Sequence, residues 1–207
     1  MQYQPISLSF YEHNDVVSVA KSLLGKILFT RIGTHITSGL IVETEAYSGR
    51  NDKACHANNG LRTLRNEIMY KNGGYAYVYL CYGIHQMFNV VTNKEGLADA
   101  VLIRALEPIK GIEVMKNRRG TNPSPIQISS GPGKLTKALG IDRSMNGLKL
   151  NDKSIWIEEG NKIPLEEIQT DVRIGVGYAG KDALKPWRFY IRGNKHVSKG
   201  IQKNPYK

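Results

Sequence analysis

Two carboxylates, Glu43 and Glu45, fall two residues apart in Ile41-Val42-Glu43-Thr44-Glu45-Ala46-Tyr47. In an extended strand Ile41, Glu43, Glu45 and Tyr47 share one face, so two acids and a phenol are presented together. A carboxylate held in that way can deprotonate a water or attack as a nucleophile. Equally, two acids on a strand edge can be solvated or can pair with Lys and Arg. A second stretch, Gly74-Tyr75-Ala76-Tyr77-Val78-Tyr79-Leu80-Cys81-Tyr82-Gly83, places four of the eleven tyrosines within eight residues. Tyr75, Tyr77 and Tyr79 alternate on one face, while Ala76, Val78 and Leu80 face a core. Tyr82 breaks that parity and stands directly before a glycine, as a residue at a turn would. Such a strand is either ordinary β-rich core or a stacking platform for bases with one probing side chain. Arg104 stands alone in the apolar run Val101, Leu102, Ile103 and Leu106. There it is either a partnered core charge or a site residue projecting from a strand end.

The charge balance narrows the partner. Of 207 residues, 29 are Lys or Arg and 18 are Asp or Glu, a net charge of +11. That excess suits a polyanion, nucleic acid above all. A carboxylate on a surface that approaches phosphate is repelled by it, so the two acids of this strand need an explanation, either a general base or nucleophile or partners for Lys and Arg. Two cysteines, Cys55 and Cys81, imply no disulfide framework. The five histidines are scattered and no Cys-x-x-Cys pair occurs, so no metal site is expected. Met1-Gln2-Tyr3-Gln4-Pro5 is not a basic segment leading into an apolar run. We therefore expect no secretion signal and a setting in the cytoplasm, or the nucleoid in a bacterium. No apolar run reaches membrane-spanning length, so no membrane partner is expected.

These residues need elements to position them. Asn14 or Asp15 caps a helix with the stripe Val16, Ala20, Leu23 and Leu24, stopped by Gly25. Lys26–Ile32 and Ile36–Tyr47 form a hairpin around Gly33-Thr34, and the second strand carries the acids. A basic polar loop runs from Ser48 to Arg62, with a short helix around Glu67–Lys71. Arg50, Lys53, Arg62 and Arg65 give that loop the character of a phosphate-contacting rim. Strands follow at the tyrosines, at Ile84–Thr92 and at Ala98–Leu106, then a helix over Ile109–Lys116 and a loop over 117–127. Ser129-Ser130-Gly131-Pro132-Gly133-Lys134 opens a helix to Leu139, capped by serine and suited to phosphate, with Lys134 adding charge. It lacks the first glycine and the Ser/Thr of a nucleoside-triphosphate loop. Another strand is expected near Ser154–Ile157, followed by an acidic patch at Glu158, Glu159, Glu166 and Glu167. Gly175-Val176-Gly177-Tyr178-Ala179-Gly180 fits the dinucleotide glycine pattern but leaves no room for its helix. Close approach to another backbone or to a phosphate chain accounts for these glycines instead. From Lys181 onward eight Lys or Arg accompany one acid, a phosphate-facing composition.

Together, Val42-Glu43-Thr44-Glu45-Ala46-Tyr47, Ala54-Cys55-His56, Tyr77-Val78-Tyr79 with Tyr82-Gly83, Arg104-Ala105-Leu106-Glu107-Pro108, Ser130-Gly131-Pro132, and Pro186-Trp187-Arg188-Phe189-Tyr190 with Arg192-Gly193 carry a family resemblance. In this order they resemble the alkyladenine (3-methyladenine) DNA glycosylase family of the mammalian type. The resemblance runs from about the first helix to His196. It implies an α+β fold: a single domain over residues 1–207 around a curved, mostly antiparallel sheet with flanking helices, a β-hairpin that enters DNA and a basic tail from about 193. It implies a monomer acting on damaged double-stranded DNA without a cofactor. The implied reaction is monofunctional hydrolysis of the N-glycosidic bond of alkylated or deaminated purines after base flipping, as in base-excision repair. By the same resemblance Glu45 is the general base, with Arg104 and the carbonyl of Ile174 holding the attacking water. Tyr47, His56 and Tyr79 line the base pocket, Asn89 screens purine edges at its floor, Tyr82 intercalates, and Arg62, Arg65 and Lys134 meet the DNA backbone. Glu43 takes a structural or electrostatic role, while Tyr75 and Tyr77 are packing or rim residues. Leu64 stands where relatives often have Pro, which alters the stiffness of the loop before Asn66.

Two other classes compete with this reading. A non-enzymatic RNA-binding module explains the charge and the tyrosines but not Glu45. A carbohydrate hydrolase using both acids fails on geometry. Same-face residues two apart lie about 6.5 to 7 Å apart along a strand, flanking one side of a sugar rather than enclosing a bond.

Overall fold

A computed structural model describes residues 3–120 and 123–198. Its frame is an eight-stranded antiparallel sheet with three α-helices, an α+β arrangement. In chain order the elements are α1 (Val16–Ser22), β1 (Ile27–Ile32), β2 (His35–Tyr47), β3 (Ala76–Cys81), β4 (His85–Thr92), β5 (Asp99–Lys110), α2 (Ile112–Arg119), α3 (Pro132–Leu139), β6 (Ile155–Glu158), β7 (Ile168–Asp171) and β8 (Arg188–Ile191). The strands run β3-β4-β5-β2-β1-β6, with β8 also on β2 and β7 on β8.

β2 organises the sheet. Its first half pairs with β1, from Ile32↔His35 to Ile27↔Leu40, and its second half pairs with β8 at Glu43, Thr44 and Glu45. The acids therefore sit where β2 leaves one neighbour for another. Along the other edge the β2–β5 register shifts three times, once at Ser38/Gly39 and twice beside the acids, passing from Ile41↔Leu106 to Glu43↔Ala105 and then to Thr44↔Ile103. Val42 is the extra residue on β2 and Arg104 the extra residue on β5. A bulge re-aims the side chain it carries, and Arg104 reaches both Glu43 and Glu45. The shift also breaks the expected alternation at one end, because Ile41 and Val42 both enter the main core.

That core joins α1, the sheet and α3 through Val19, Leu23, Leu28, Phe88, Ile103, Leu135 and Leu139. Asp15 caps α1, its Oδ1 accepting the Val17 N–H at 3.0 Å. A second cluster, built on Tyr77, Met69, Tyr70, Val91 and Ala100, lies below the tyrosine strand. Ala76 and Val78 point into the main core, as their parity requires.

Four local expectations are corrected. β5 continues through Pro108 to Lys110, and the next helix begins only at Ile112, because Gly111 turns the chain at φ +73° against Ile36. α3 is capped by Gly131 rather than serine: Ser129 Oγ donates to the Leu106 carbonyl at 2.7 Å, and Ser130 bridges Ala105. Gly175 and Gly180 take positive φ with open space around them, so turn geometry accounts for them rather than a neighbouring backbone. The segment from Lys181 is not uniformly outward-facing, since Arg188 is buried on β8 and Lys185 pairs with Asp182. Residues 193–198 fold back onto the sheet, and 199–207 lie outside the described residues, as do 121 and 122 in the loop over 117–127. No helix among the described residues is long and apolar enough to cross a membrane.

Candidate active site

Glu43 and Glu45 are both fully buried, and their surroundings divide their roles. Glu43 Oε1 accepts from Arg104 Nε at 2.9 Å, Arg188 Nε at 2.7 Å and Ser198 Oγ at 3.0 Å, while Oε2 accepts from the Ser198 N–H at 2.7 Å. Burial alone would raise its pKa. Arg104 and Arg188 more than offset that and hold the carboxyl below its ordinary value. Glu43 thereby has four donors, three of them on Oε1, and two of its partners, Arg188 and Ser198, lie outside the cleft.

Glu45 is held more sparingly. Its Oε1 accepts the Ile174 N–H at 2.8 Å and faces Arg104 Nη1 at 3.1 Å, and its Oε2 accepts the Tyr47 hydroxyl at 2.7 Å. A carboxylate offers about four lone-pair directions, so Oε2 retains one. Burial, reinforced by Glu45, raises the Tyr47 phenol well above its ordinary value, so it remains a donor. Arg104 spans the two acids. Burial opposes its charge, but Glu45 and Glu43 hold its pKa above the ordinary arginine value.

In front of Tyr47, Arg104 and Ile174 opens a cleft of about 630 Å³. β3 and β4 supply Tyr77, Tyr79 and Asn89, the loop after β2 supplies His56 and Arg65, and the segment after β7 supplies Gly175, Val176 and Tyr178. His56 and Tyr79 meet edge to face at 4.8 Å between ring centroids. Tyr77, buried beneath them, sets its hydroxyl 2.9 Å from His56 Nδ1. Burial and the nearby Arg65 charge lower the His56 pKa to about 4, and burial pushes the Tyr77 phenol up to about 12. A neutral imidazole and a protonated phenol share one hydrogen bond at Nδ1 and leave Nε2 of His56 as the ring's second polar atom. Asn89, also buried, donates its amide to the Tyr77 carbonyl at 3.2 Å.

Tyr82 stands at the tip of the β3–β4 hairpin, 89% exposed, with φ +50° followed by Gly83 at φ +72°. Two consecutive left-handed residues close the loop after Cys81↔His85 and turn the tyrosine outward. Its broken parity in the sequence is this turn.

Eight of the residues singled out from the sequence thus line one cleft: Tyr47, His56, Arg65, Tyr79, Tyr82, Asn89, Arg104 and Ile174, with Glu45 directly behind them. The basic residues scatter. Arg65 lies over the Tyr79 ring at 4.6 Å, in the cleft wall. Arg62 pairs with Glu67 at 2.7 Å and lies over Tyr70, and Arg50 pairs with buried Asp99 at 2.8 Å. Lys134 lines a separate cleft beside the hairpin. Three contributors carried no signal of their own in the sequence. Tyr77 buttresses His56, Tyr178 stands at the mouth, and Arg173 is clamped to Asp52 at 2.6 and 2.8 Å between the rings of Tyr47 and Trp187. Among the described residues no group of three or more His, Cys, Asp or Glu is arranged to hold a metal ion.

With this geometry in hand, the comparison with known proteins is decisive. The family model described as methylpurine-DNA glycosylase matches residues 9–195. The chain belongs to the methylpurine-DNA glycosylase family. It is 50% identical over 186 residues to a protein of Carboxydothermus hydrogenoformans, covering 89% of this chain and 94% of that one. It is 46% identical over 191 residues to a Methanocella arvoryzae protein, covering 92% and 94%, and 46% identical over 198 residues to one of Clostridium acetobutylicum, covering 91% and 95%. All three relatives are provisionally named 3-methyladenine DNA glycosylase. The span matched to the methylpurine-DNA glycosylase family takes in every residue of the cleft wall; of the Glu43 network, only Ser198 falls beyond it.

Proposed function

We propose that this member of the methylpurine-DNA glycosylase family hydrolyses the N-glycosidic bond of alkylated or deaminated purines in duplex DNA, by base flipping and a Glu45-activated water. The observation that carries the reading is the unequal placement of two buried acids: Glu43 is held by Arg188 and Ser198 away from the cleft, whereas every partner of Glu45, namely Tyr47, Arg104 and Ile174, lines the aromatic cleft, and its Oε2 accepts only the Tyr47 hydroxyl. A base within a duplex must leave the stack before its glycosidic bond can be reached, at a cost of a few kcal/mol. Tyr82 fills the gap it leaves. Tyr47 and Tyr79 offer their π-faces to the extruded base, and His56 offers a polar contact. Aromatic walls favour a base that carries positive charge after alkylation. Asn89 at the floor presents an amide against which the exocyclic amine of guanine clashes.

In the chemical step Glu45 Oε2 takes a proton from water as the oxygen attacks the sugar carbon. Arg104 holds Oε1, and the backbone of Ile174 fixes the carboxylate through its N–H, with its carbonyl aiding the water. No lysine takes part as a covalent amine, so the product is an abasic site in an unbroken strand. The chain acts as a monomer. Glu45→Gln keeps the shape and removes the base. In single-turnover reactions on a duplex holding hypoxanthine or ethenoadenine, followed by alkali, abasic product should fall at least 100-fold. Duplex binding should persist. Turnover near the wild-type rate in this variant overturns the assignment of Glu45.

A further inference from the structure

Each nitrogen of the Arg104 guanidinium has its own partner. Nε donates to Glu43 Oε1 at 2.9 Å, Nη1 faces Glu45 Oε1 at 3.1 Å, and Nη2 donates to Ser198 Oγ at 3.4 Å. The cation is thus divided between two acids, with a serine at its third corner. A guanidinium favours gripping one carboxylate through two parallel hydrogen bonds. If Arg104 took that arrangement on Glu43, Nη1 would leave Glu45. Something must hold it in the divided position.

Ser198 stands where it can do so. Its N–H donates to Glu43 Oε2 at 2.7 Å, the one hydrogen bond this oxygen accepts among the described residues, and its hydroxyl donates to Oε1 at 3.0 Å. Its carbonyl accepts from Arg188 Nη2 at 3.4 Å, while Arg188 Nε donates to Glu43 Oε1 at 2.7 Å. With Oε2 already capped, Arg104 has no second oxygen of Glu43 to take. The segment that delivers Ser198 is itself anchored. Asn194 Nδ2 donates to Glu107 Oε2 at 2.7 Å, Asn194 Oδ1 accepts the His196 N–H at 2.9 Å, and Val197 packs on the main core. Ser198 is buried, yet Asn194, Val197 and Ser198 all lie outside the aromatic cleft.

We infer that Ser198 is a positioning residue for the reaction: by capping Glu43 it keeps Arg104 divided between the two acids, and so keeps Glu45 aimed at the attacking water. This rests on the reading of Glu45 as the general base. Ser198 touches neither the cleft nor an extruded base, so its effect falls on the chemical step and not on duplex affinity.

The test separates chemistry from binding and from stability. Ser198→Val and Ser198→Thr have nearly one shape and differ in the hydroxyl. For each, single-turnover excision of hypoxanthine from duplex at saturating enzyme is compared with anisotropy binding to an abasic-analogue duplex and with urea unfolding. Ser198→Val should slow excision about five- to tenfold, part of what a hydrogen bond to a charged group is worth, and change duplex affinity by less than about twofold. Ser198→Thr should stay within about twofold of the wild-type rate. In a Glu43→Gln background Ser198→Val should add less than about twofold, because its effect runs through Glu43. Asn194→Ala frees the segment at Glu107 without touching either acid. It should slow excision about threefold, and it decides the matter if Ser198→Val does not fold. An unchanged excision rate beside a lowered unfolding midpoint would make Ser198 purely structural. Equal losses in the Val and Thr variants, losses that add fully to Glu43→Gln, or a loss of affinity matching the loss of rate would remove the route through Glu43. Each of these results overturns the inference. Absence of abasic product from the wild-type protein would instead strike the glycosylase reading itself, and the inference with it.

Discussion

His56 makes the protein's stability depend on pH in a way that can be worked out in advance. In an unfolded chain an imidazole takes up its proton near pH 6.5. In the folded protein burial and Arg65 delay protonation to about pH 4. Between those values the unfolded state binds the extra proton, so stability is fully present above 6.5 and declines as pH falls toward 4. A displacement of about two and a half pH steps corresponds to about 3 kcal/mol, of which about 2.5 kcal/mol is lost by pH 4.5. That is a large share of the 5–15 kcal/mol of a typical domain. Replacing His56 by Gln keeps a polar group opposite the Tyr77 hydroxyl and removes the titration. Urea unfolding of both proteins at pH 7.0, 5.5 and 4.5 isolates the effect, since all other groups titrate alike in both. The wild-type midpoint should converge on that of the variant, or fall below it, as the pH drops. The gap between the two unfolding free energies should close by about 2 kcal/mol from pH 7.0 to 4.5. Parallel curves would refute the argument and place a solvated, chargeable His56 in the cleft wall.

Three other perturbations probe the remaining parts. Tyr82→Ala should slow excision from duplex at least tenfold while leaving single-stranded substrate nearly unaffected, measured in single-turnover assays; equal losses on both would count against intercalation. Arg173→Ala strands the buried Asp52 carboxylate and should lower unfolding stability by about 3–5 kcal/mol in urea titrations. Glu43→Gln leaves Arg104 with Glu45 and Arg188 with Asp171 as their remaining carboxylate partners. It should cost about 3 kcal/mol of stability and slow excision through displaced Arg104, without weakening duplex affinity.

The parts legible in the sequence were those governed by local period. Glu45 and Tyr47 share a face because β2 alternates regularly there, and their hydrogen bond follows directly. Tyr82 announced itself by breaking the same rule. What stayed hidden depends on partners distant in the chain. Nothing around Asp171-Val172-Arg173 signals that Arg173 closes on Asp52, 121 residues earlier. The serines before α3 looked like caps, yet their hydroxyl and backbone serve β5, because a strand edge there had carbonyls to satisfy. Parity also misplaced Ile41, since an inserted residue on each strand is invisible until the two are paired. Arg104 could be recognised as anomalous in an apolar run, but not as the bulged residue bridging both acids. Tyr77 passed for packing because its burial is real; only its hydroxyl, set against His56, gives it a place in the cleft.

The partners of Glu43 lie 61, 145 and 155 residues away along the chain, at Arg104, Arg188 and Ser198. Contacts of such separation form late, after the loops between them have closed. The Glu43 network is closed by the last described residue of the chain, and the buried acid pair depends on that segment staying on the sheet.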